Sequence, residues 1–246
     1  MKISFNRVAD IYDKTRELPP EAMRKIVQTL VKEMKGYKTL LDIGVGTGRF
    51  AKPLQENGFE VVGTDISEGM MKNAKKKGVK NLLLGDACAL PFRDYSFDAT
   101  LSVHVLHLII DWQTALKEIC RVTKGELFSV TQMKQSSRIS EAYEELAKEK
   151  GYNARHIGLR EKELIKIIKP TKTIPAASCV SSADEHLTHY RQRAFSRQWK
   201  VPGDVDKQIV KELAKRFAGQ EYLQEIHILR WNIKDLKSCL KSQMQH

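Results

Sequence analysis

The sequence predicts an α/β fold: a doubly wound, mostly parallel, seven-stranded sheet with helices on both faces and helical additions forming a lid. Three observations predict it. Short apolar runs alternate with helical patterns through the first half of the chain, the rhythm of parallel strands joined by crossover helices. The stretch "LLDIGVGTGRF" (Leu40 to Phe50) runs an apolar tetrad into Asp42 and then into three alternating glycines. Beyond Val130 the rhythm gives way to a helix-rich region that closes on an alternating, strand-like segment.

Each element has its own warrant. "PPEAMRKIVQTLVKEMKG" opens on proline, sets Ala22, Met23, Ile26, Val27, Leu30, Val31 and Met34 on one face and stops at Gly36, which predicts an amphipathic helix. Strands are expected at "TLLDI", "EVVGT", "NLLL", "FDATLSV" and "ELFSV", and helices over 46–57, 67–77 and 111–122, in strict alternation. "SRISEAYEELAKEKG" and "REKELIKIIKP" read as helices and "TIPAASCVSSA" as a strand. "DVDKQIVKELAKRFAG" is a helix closed by Gly219, and "LQEIHILRWNI" alternates as a last strand. There is no internal repeat, low-complexity tract or long linker, so the reading is one domain over 1–246.

Composition narrows the class. At 246 residues and 41% hydrophobic the chain can bury a full core. Its longest apolar runs, such as "VLHLII" (Val105 to Ile110), fall far short of the roughly 20 residues of a membrane span, and no signal-peptide pattern opens the chain; a cytoplasmic protein is expected. Four scattered cysteines, Cys88, Cys120, Cys179 and Cys239, have no zinc-site spacing and read as buried reduced thiols. The net charge of +12 admits an acidic substrate or nucleic acid, although "KKK" (Lys75 to Lys77) suits a solvated helix C-terminus.

The glycine loop carries the chemistry. A dinucleotide fingerprint would be GxGxxG, whereas here Gly44, Gly46 and Gly48 fall as GxGxG and Arg49 takes the place of the third glycine. Glycines so spaced let a ligand approach the backbone. Asp65 closes the second strand, where a carboxylate can accept both ribose hydroxyls, and Asp86 follows the third strand in "LLLGDACALPF". A glycine loop and two strand-end acids converge on one crevice at the carboxyl edge of the sheet.

These residues, with "VVGTDISEGMMKNAKKKG", "LLLGDACALPFRDYSFDATLSVHVLHLIIDWQTALKEICRV" and "FNRVADIYDKTR", make the chain resemble a class I S-adenosylmethionine-dependent methyltransferase. The group resembled is the ubiquinone- and menaquinone-biosynthesis type (methyltransferase domain type 11). The resemblance runs from about Phe5 to Val130 and implies a Rossmann-like methyltransferase sheet, with S-adenosyl-L-methionine as cofactor, S-adenosyl-L-homocysteine as product and no metal. It implies that Gly44, Val45, Gly46 and Gly48 flank the methionine portion, Asp65 holds the ribose, Ile66 and Met70 sandwich the adenine, and Asp86 with Ala87 meets its edge. Asp42 would orient the loop or reach the cofactor's ammonium. Ser102 to His104 would floor the site near the reactive methyl, and Tyr12 and Arg16 would close it. Within the single domain the reading is a helical cap over 1–36, a cofactor-binding core over 37–131, a lid and substrate-specificity insertion over 132–200, and a C-terminal helix and strand over 201–246 that complete the sheet. One departure is that the group's Pro-Gly-Gly turn before the fifth strand is reduced to Gly125 in "RVTKGELFSV".

Methyl transfer from a sulfonium is an in-line displacement with a neutral leaving group, so alignment does most of the work, and a base matters only if the acceptor must lose a proton. His104 is the expected catalytic base and His107 a weaker one; either could instead pack against the cofactor. His186 and His189 are less committed. Tyr190, Phe195 and Trp199 are expected near one helical stripe, with Arg191, Arg193 and Arg197 between them, as core, lid face or substrate surface. The expected reaction is methylation of oxygen or carbon on a small metabolite, quinone-like, phenolic or isoprenoid, since the Asn/Asp-Pro-Pro-aromatic motif of amino-methylating DNA enzymes is absent. The alternatives are an RNA-modifying enzyme, because tRNA wobble-uridine enzymes have a similar "DALALPF"-like segment and the chain is basic, and a non-catalytic fold relative.

Overall fold

The computed structural model describes residues 4–135 and 138–243. After a turn of 3-10 helix (Asn6–Val8) come α1 (Tyr12–Thr15) and α2 (Pro20–Glu33), then β1 (Thr39–Ile43), α3 (Ala51–Glu56), β2 (Glu60–Asp65), α4 (Glu68–Lys76), β3 (Leu82–Leu84) and β4 (Phe97–Ser102). A 3-10 turn (Leu106–Leu108) leads to α5 (Trp112–Val122) and β5 (Thr123–Gln135). The chain continues through α6 (Ile139–Glu149), α7 (Glu161–Ile167), β6 (Lys172–Ser182), α8 (Ala183–Arg191), a 3-10 turn (Ser196–Lys200), α9 (Gly203–Phe217), β7 (Glu221–Asn232) and α10 (Ile233–Gln243).

The sheet is seven-stranded, as expected, in the order β3-β2-β1-β4-β5-β7-β6. β1 to β5 are parallel and β7 runs antiparallel to both β5 and β6. Because the chain winds outward from β1 in one direction and from β4 in the other, the switch point lies between those two strands, and a crevice opens there beyond their carboxyl ends.

Two apolar layers bury the sheet. On one face α2 and α3 lay Ile26, Leu30, Met34 and Leu54 against Val61, Phe128 and Ile228. On the other, α5 and α10 set Leu116, Ile119, Leu236 and Leu240 against Leu127, Leu229 and Trp231. A third cluster, Tyr143, Leu187, Tyr190, Ile209, Leu213 and Tyr222, joins α6, α8 and α9 to one end of β7. It is centred on Asp206, which is 2% exposed and accepts the Tyr143 hydroxyl at 2.6 Å and the Gln198 amide at 3.1 Å.

Several expectations change. Strand and helix do not alternate strictly: β3 reaches β4 through a stretch with no helix. Two helices were not foreseen, α8 and α10. The segment 132–200 does more than cover the site, because β6 within it is the edge strand of the sheet. Tyr190, Phe195 and Trp199 do not share a helical stripe: Tyr190 is fully buried in α8, Phe195 follows that helix, and Trp199 lies in the next 3-10 turn, its Nε1 donating to the Arg193 carbonyl at 2.8 Å. All four cysteines are free thiols, but only Cys120 is buried. Gly125, left from the abbreviated turn, has a reason of its own, since a Cβ there would come within 2.9 Å of the Asp98 carbonyl.

Candidate active site

A cavity of about 640 Å³ opens at the switch point, within the size range of small-molecule sites. β1 ends at Ile43 and the chain turns through Gly44 and Gly46, both at positive φ (+65° and +56°), where a side chain is strained. Space forbids one at Gly44 too, where a Cβ would lie 2.2 Å from Val105 Cγ2, whereas one on Gly46 would press on the flexible Met70 Cε at 3.2 Å. The loop after β4 thus packs directly against the loop after β1.

Asp65, the last residue of β2, faces this turn. Its Oδ2 accepts the Gly46 N–H at 2.9 Å and its Oδ1 accepts the Ser67 N–H at 2.8 Å. Burial pushes its carboxyl upward, and the backbone hydrogen bonds pull back. Ile66, Met70, Asp86 and Ala87 line the same wall. Thr64 Oγ1, on that wall, is buried without a hydrogen-bond partner, and a buried hydroxyl in that state is ready for a ligand. A carboxylate at a strand end, glycines at the turn and the apolar side chains of Ile66 and Met70 on one wall make a set that suits a sulfonium nucleoside, so the residues fit S-adenosylmethionine.

Ten of the expected site residues line the cavity: Tyr12, Arg16, Gly44, Gly46, Asp65, Ile66, Met70, Asp86, Ala87 and His104. The other four stand behind it. Val45 packs over Gly63, where a Cβ would meet it at 2.7 Å, and Gly48 (φ +77°) packs against Val79. Ser102 is buried, its Oγ without a partner. Asp42 is 3% exposed, and burial, reinforced by Asp65, pushes its carboxyl up to about 8.

The N-terminal segment closes the cavity from above. Asn6 Oδ1 accepts both the Ser67 hydroxyl (2.6 Å) and the Gly69 N–H (2.8 Å), and Asn73 donates to the Ala9 carbonyl at 2.8 Å. Asp13 is bound by Thr47 and by Lys77, so the last lysine of the "KKK" run, which ends α4 with all three lysines exposed, also ties the cap to that helix. Phe5 and Arg7 rest on the Trp199 ring, at 5.0 and 5.1 Å. The cap and the segment around 190–200 therefore meet over the opening.

His104 sits after β4 at φ +56°, with its accessible surface turned into the cavity. Burial within the protein, with the charges of Arg49 and Arg16 added, holds its imidazole down at about 4. His107 lies 6.5 Å from it, ring to ring, and His156 4.4 Å from His107. His156 Nε2 and the Arg197 guanidinium are 3.0 Å apart, and Arg197 in turn pairs with Glu144 at 3.0 Å. Since guanidinium only donates, that Nε2 is the acceptor, and burial and Arg197 hold the ring at about 3. Sequence reasoning did not single out His156: an isolated histidine in "NARHIGLR" carries no pattern, and only the fold brings it to His107. His186 and His189 of α8 line the outer wall, with Ser181 and Ser182 of β6.

A profile of the methyltransferase domain family matches residues 41–127, the stretch that contains this crevice. The chain is 36% identical over 125 residues to the demethylmenaquinone methyltransferase of Renibacterium salmoninarum, covering 49% of this chain and 52% of that protein. It is 31% identical over 166 residues to an uncharacterized protein of Methanocaldococcus jannaschii, covering 67% of this chain and 78% of the relative. A crystal structure of a methyltransferase from Thermotoga maritima superposes with a TM-score of 0.56 at 21% identity, over 93% of this chain and 97% of that one, a likeness of fold. The chain spans about half the length of the demethylmenaquinone methyltransferases that it matches. Among the described residues, no helix is long and apolar enough to cross a membrane. Glycine turn, strand-end acids, strand order and relatives agree: residues 41–127 carry a methyltransferase domain, and the sheet around it has the fold of the class I S-adenosylmethionine-dependent methyltransferases.

Proposed function

We propose that the chain methylates oxygen or carbon of a small-molecule acceptor inside this cavity, releasing S-adenosylhomocysteine. The observation that carries the reading is the cradle at the switch point, in which Asp65 is fixed between the N–H groups of Gly46 and Ser67 beside a turn that presents Gly44 and Gly46 to the cavity. When bound, S-adenosylmethionine supplies a methyl carbon on a positively charged sulfur whose departure needs no acid.

The chain's own residues hold and align. Asp65 accepts the ribose hydroxyls, Ile66 and Met70 enclose the adenine, Asp86 and Ala87 meet its edge, and Gly44 and Gly46 leave room for the methionine portion. Asp42, Val45, Gly48 and Ser102 act from behind, keeping the turn in shape. Tyr12 and the Asn6 clamp keep water out, and excluding water strengthens every polar contact within. His104 faces the reacting end as a neutral imidazole able to accept a proton from an acceptor hydroxyl. Among quinone-like, phenolic and isoprenoid acceptors, a compact ring with polar substituents suits the outer wall, where Ser181, Ser182, His186, His189 and Gln224 contribute polar groups. Tyr190, Phe195 and Trp199 are packed inward or against the cap, which supports the small-molecule acceptor over RNA.

Titration calorimetry with S-adenosylmethionine, on wild type and Asp65→Ala, tests the cofactor. Binding by the wild type weakened about 10- to 100-fold in the variant is expected from losing charge-assisted hydrogen bonds; a silent wild type removes the reading. A screen of metabolite extracts for transfer of labelled methyl then tests the acceptor class.

A further inference from the structure

Five of the seven histidines, His104, His107, His156, His186 and His189, line this one cavity, and Arg16 stands among them. The Arg16 guanidinium donates to the Thr15 carbonyl at 3.0 Å, to Thr15 Oγ1 at 3.3 Å and, from its other end, to the Ala194 carbonyl at 3.1 Å. Its plane lies over the Phe195 ring at 4.3 Å. No carboxylate among the described residues pairs with it. Glu17 and Glu185 line the cavity but are exposed. Arg197 differs, because Glu144 neutralises it at 3.0 Å.

A cation withdrawn from water with only carbonyl and hydroxyl partners is costly unless an anion joins it. Its unbalanced field is felt around it: after burial, Arg16 is the next cause holding His186 and His189 below the usual imidazole range. Neutral imidazoles each keep one N–H donor, and the His186 ring is oriented by the Tyr222 hydroxyl, 3.1 Å from Nδ1.

The side of the cavity on which this cation lies identifies the anion's owner. Arg16 is anchored on Ala194 and Phe195, next to α8 and the end of β6, the edge strand farthest from β3. Asp65 and Asp86 stand at the opposite end, after β2 and β3. Arg49, adjoining the glycine turn, also lines the cavity, and its charge reaches both Arg16 and His104.

We propose that the methyl acceptor is an acid, whose carboxylate or phosphate group Arg16 binds beside Phe195, with His186 and His189 donating next to it. The proposal rests on the methyl-transfer reading of the cavity and adds the charge of the acceptor to it.

The test uses the full chain saturated with S-adenosylhomocysteine, titrated calorimetrically with 4-hydroxybenzoate, phenyl phosphate and the neutral 4-hydroxybenzamide. At least one anion is expected to bind about tenfold or more tightly than the amide, and which one does so separates carboxylate from phosphate. Arg16→Gln is expected to erase that preference while S-adenosylhomocysteine affinity stays within about threefold; Arg16→Lys, which keeps the charge and loses the planar fork, retains part of it. Equal binding of the amide, or failure of both anions to bind at millimolar concentration, overturns the proposal. So does a tenfold loss of S-adenosylhomocysteine affinity in Arg16→Gln, which would give this arginine to the cofactor. If the wild type does not bind S-adenosylhomocysteine at all, the methyl-transfer reading falls first and takes this proposal with it.

Discussion

Asp65 Oδ2 accepts the Gly46 N–H at 2.9 Å, so the carboxylate that ends β2 also fixes the glycine turn that follows β1. One side chain sets both the shape and the charge of the crevice. In Asp65→Asn an amide N–H₂ replaces one acceptor and faces a backbone donor, either Gly46 or Ser67. A buried donor left unpaired costs about 1–3 kcal/mol. A fall in Tm of about 2–4 °C per kcal/mol is expected in a thermal melt without ligand; an unchanged Tm would show that the turn holds without the carboxylate.

His104 has its imidazole held at about 4 by burial and by Arg49 and Arg16, so it is neutral from neutral pH down to about pH 4. No limb near pH 6.5 attributable to this residue is expected in kcat/KM. A base of such low proton affinity is poorly matched to neutral pH, so His104→Asn is expected to lower kcat by roughly tenfold, short of the 10²–10⁴ of a well-tuned base. Asparagine tolerates the left-handed backbone at this position, which separates chemistry from strain. A loss of a thousandfold would make His104 an indispensable base.

Asp42 stays protonated in the folded chain up to about pH 8, because burial and Asp65 oppose its charge, whereas in the unfolded chain it ionises near 3.9. The folded state therefore holds the extra proton between those values, and stability from this residue falls as pH rises across that window. Asp42→Asn removes the penalty. Its gain in Tm over wild type should grow from pH 4 to pH 8, by melts across that range, and a gain independent of pH would contradict the assignment.

Gly158 N–H donates to the His107 carbonyl at 3.0 Å, and a Cβ there would lie 2.3 Å from the carbonyl oxygens of Leu106 and Ile109. Backbone cannot yield as a side chain can. Gly158→Ala is expected to cost about 1–3 kcal/mol and to push the His156 loop off His107, visible as changed imidazole resonances of both histidines in NMR. Unaltered resonances would show that the loop is not held by this contact.

Much of the site was legible because it is local. The turn at Gly44 and Gly46, the strand-end position of Asp65 and the place of Asp86 follow from strand, glycine and acid lying close in sequence, and all reach the cavity. Asp42, Val45, Gly48 and Ser102 belong to the same motifs, but side chains in a strand point to alternate faces, which turns Asp42 and Ser102 inward, while in the loop Val45 packs on Gly63 and Gly48 on Val79. The stripe Ile233, Leu236 and Leu240 that buries α10 is helical spacing available in the sequence; it was hidden by the strand pattern of "LQEIHILRWNI" running straight into it. Strict alternation failed at β3 because its three residues feed a connection without a helix.

By itself the sequence determined the α/β winding, the glycine turn and the acids at the strand ends, since each depends on residues a few positions apart and on the periods of helix and strand. Only the tertiary structure decided what surrounds the reacting end. His107 and His156 meet because Gly158 allows two backbones to touch, and Arg16 reaches Ala194 because the cap and α8 fold over the same opening. Such contacts join segments far apart in the chain, and their energies depend on burial and distance, neither of which any local spacing of residues encodes.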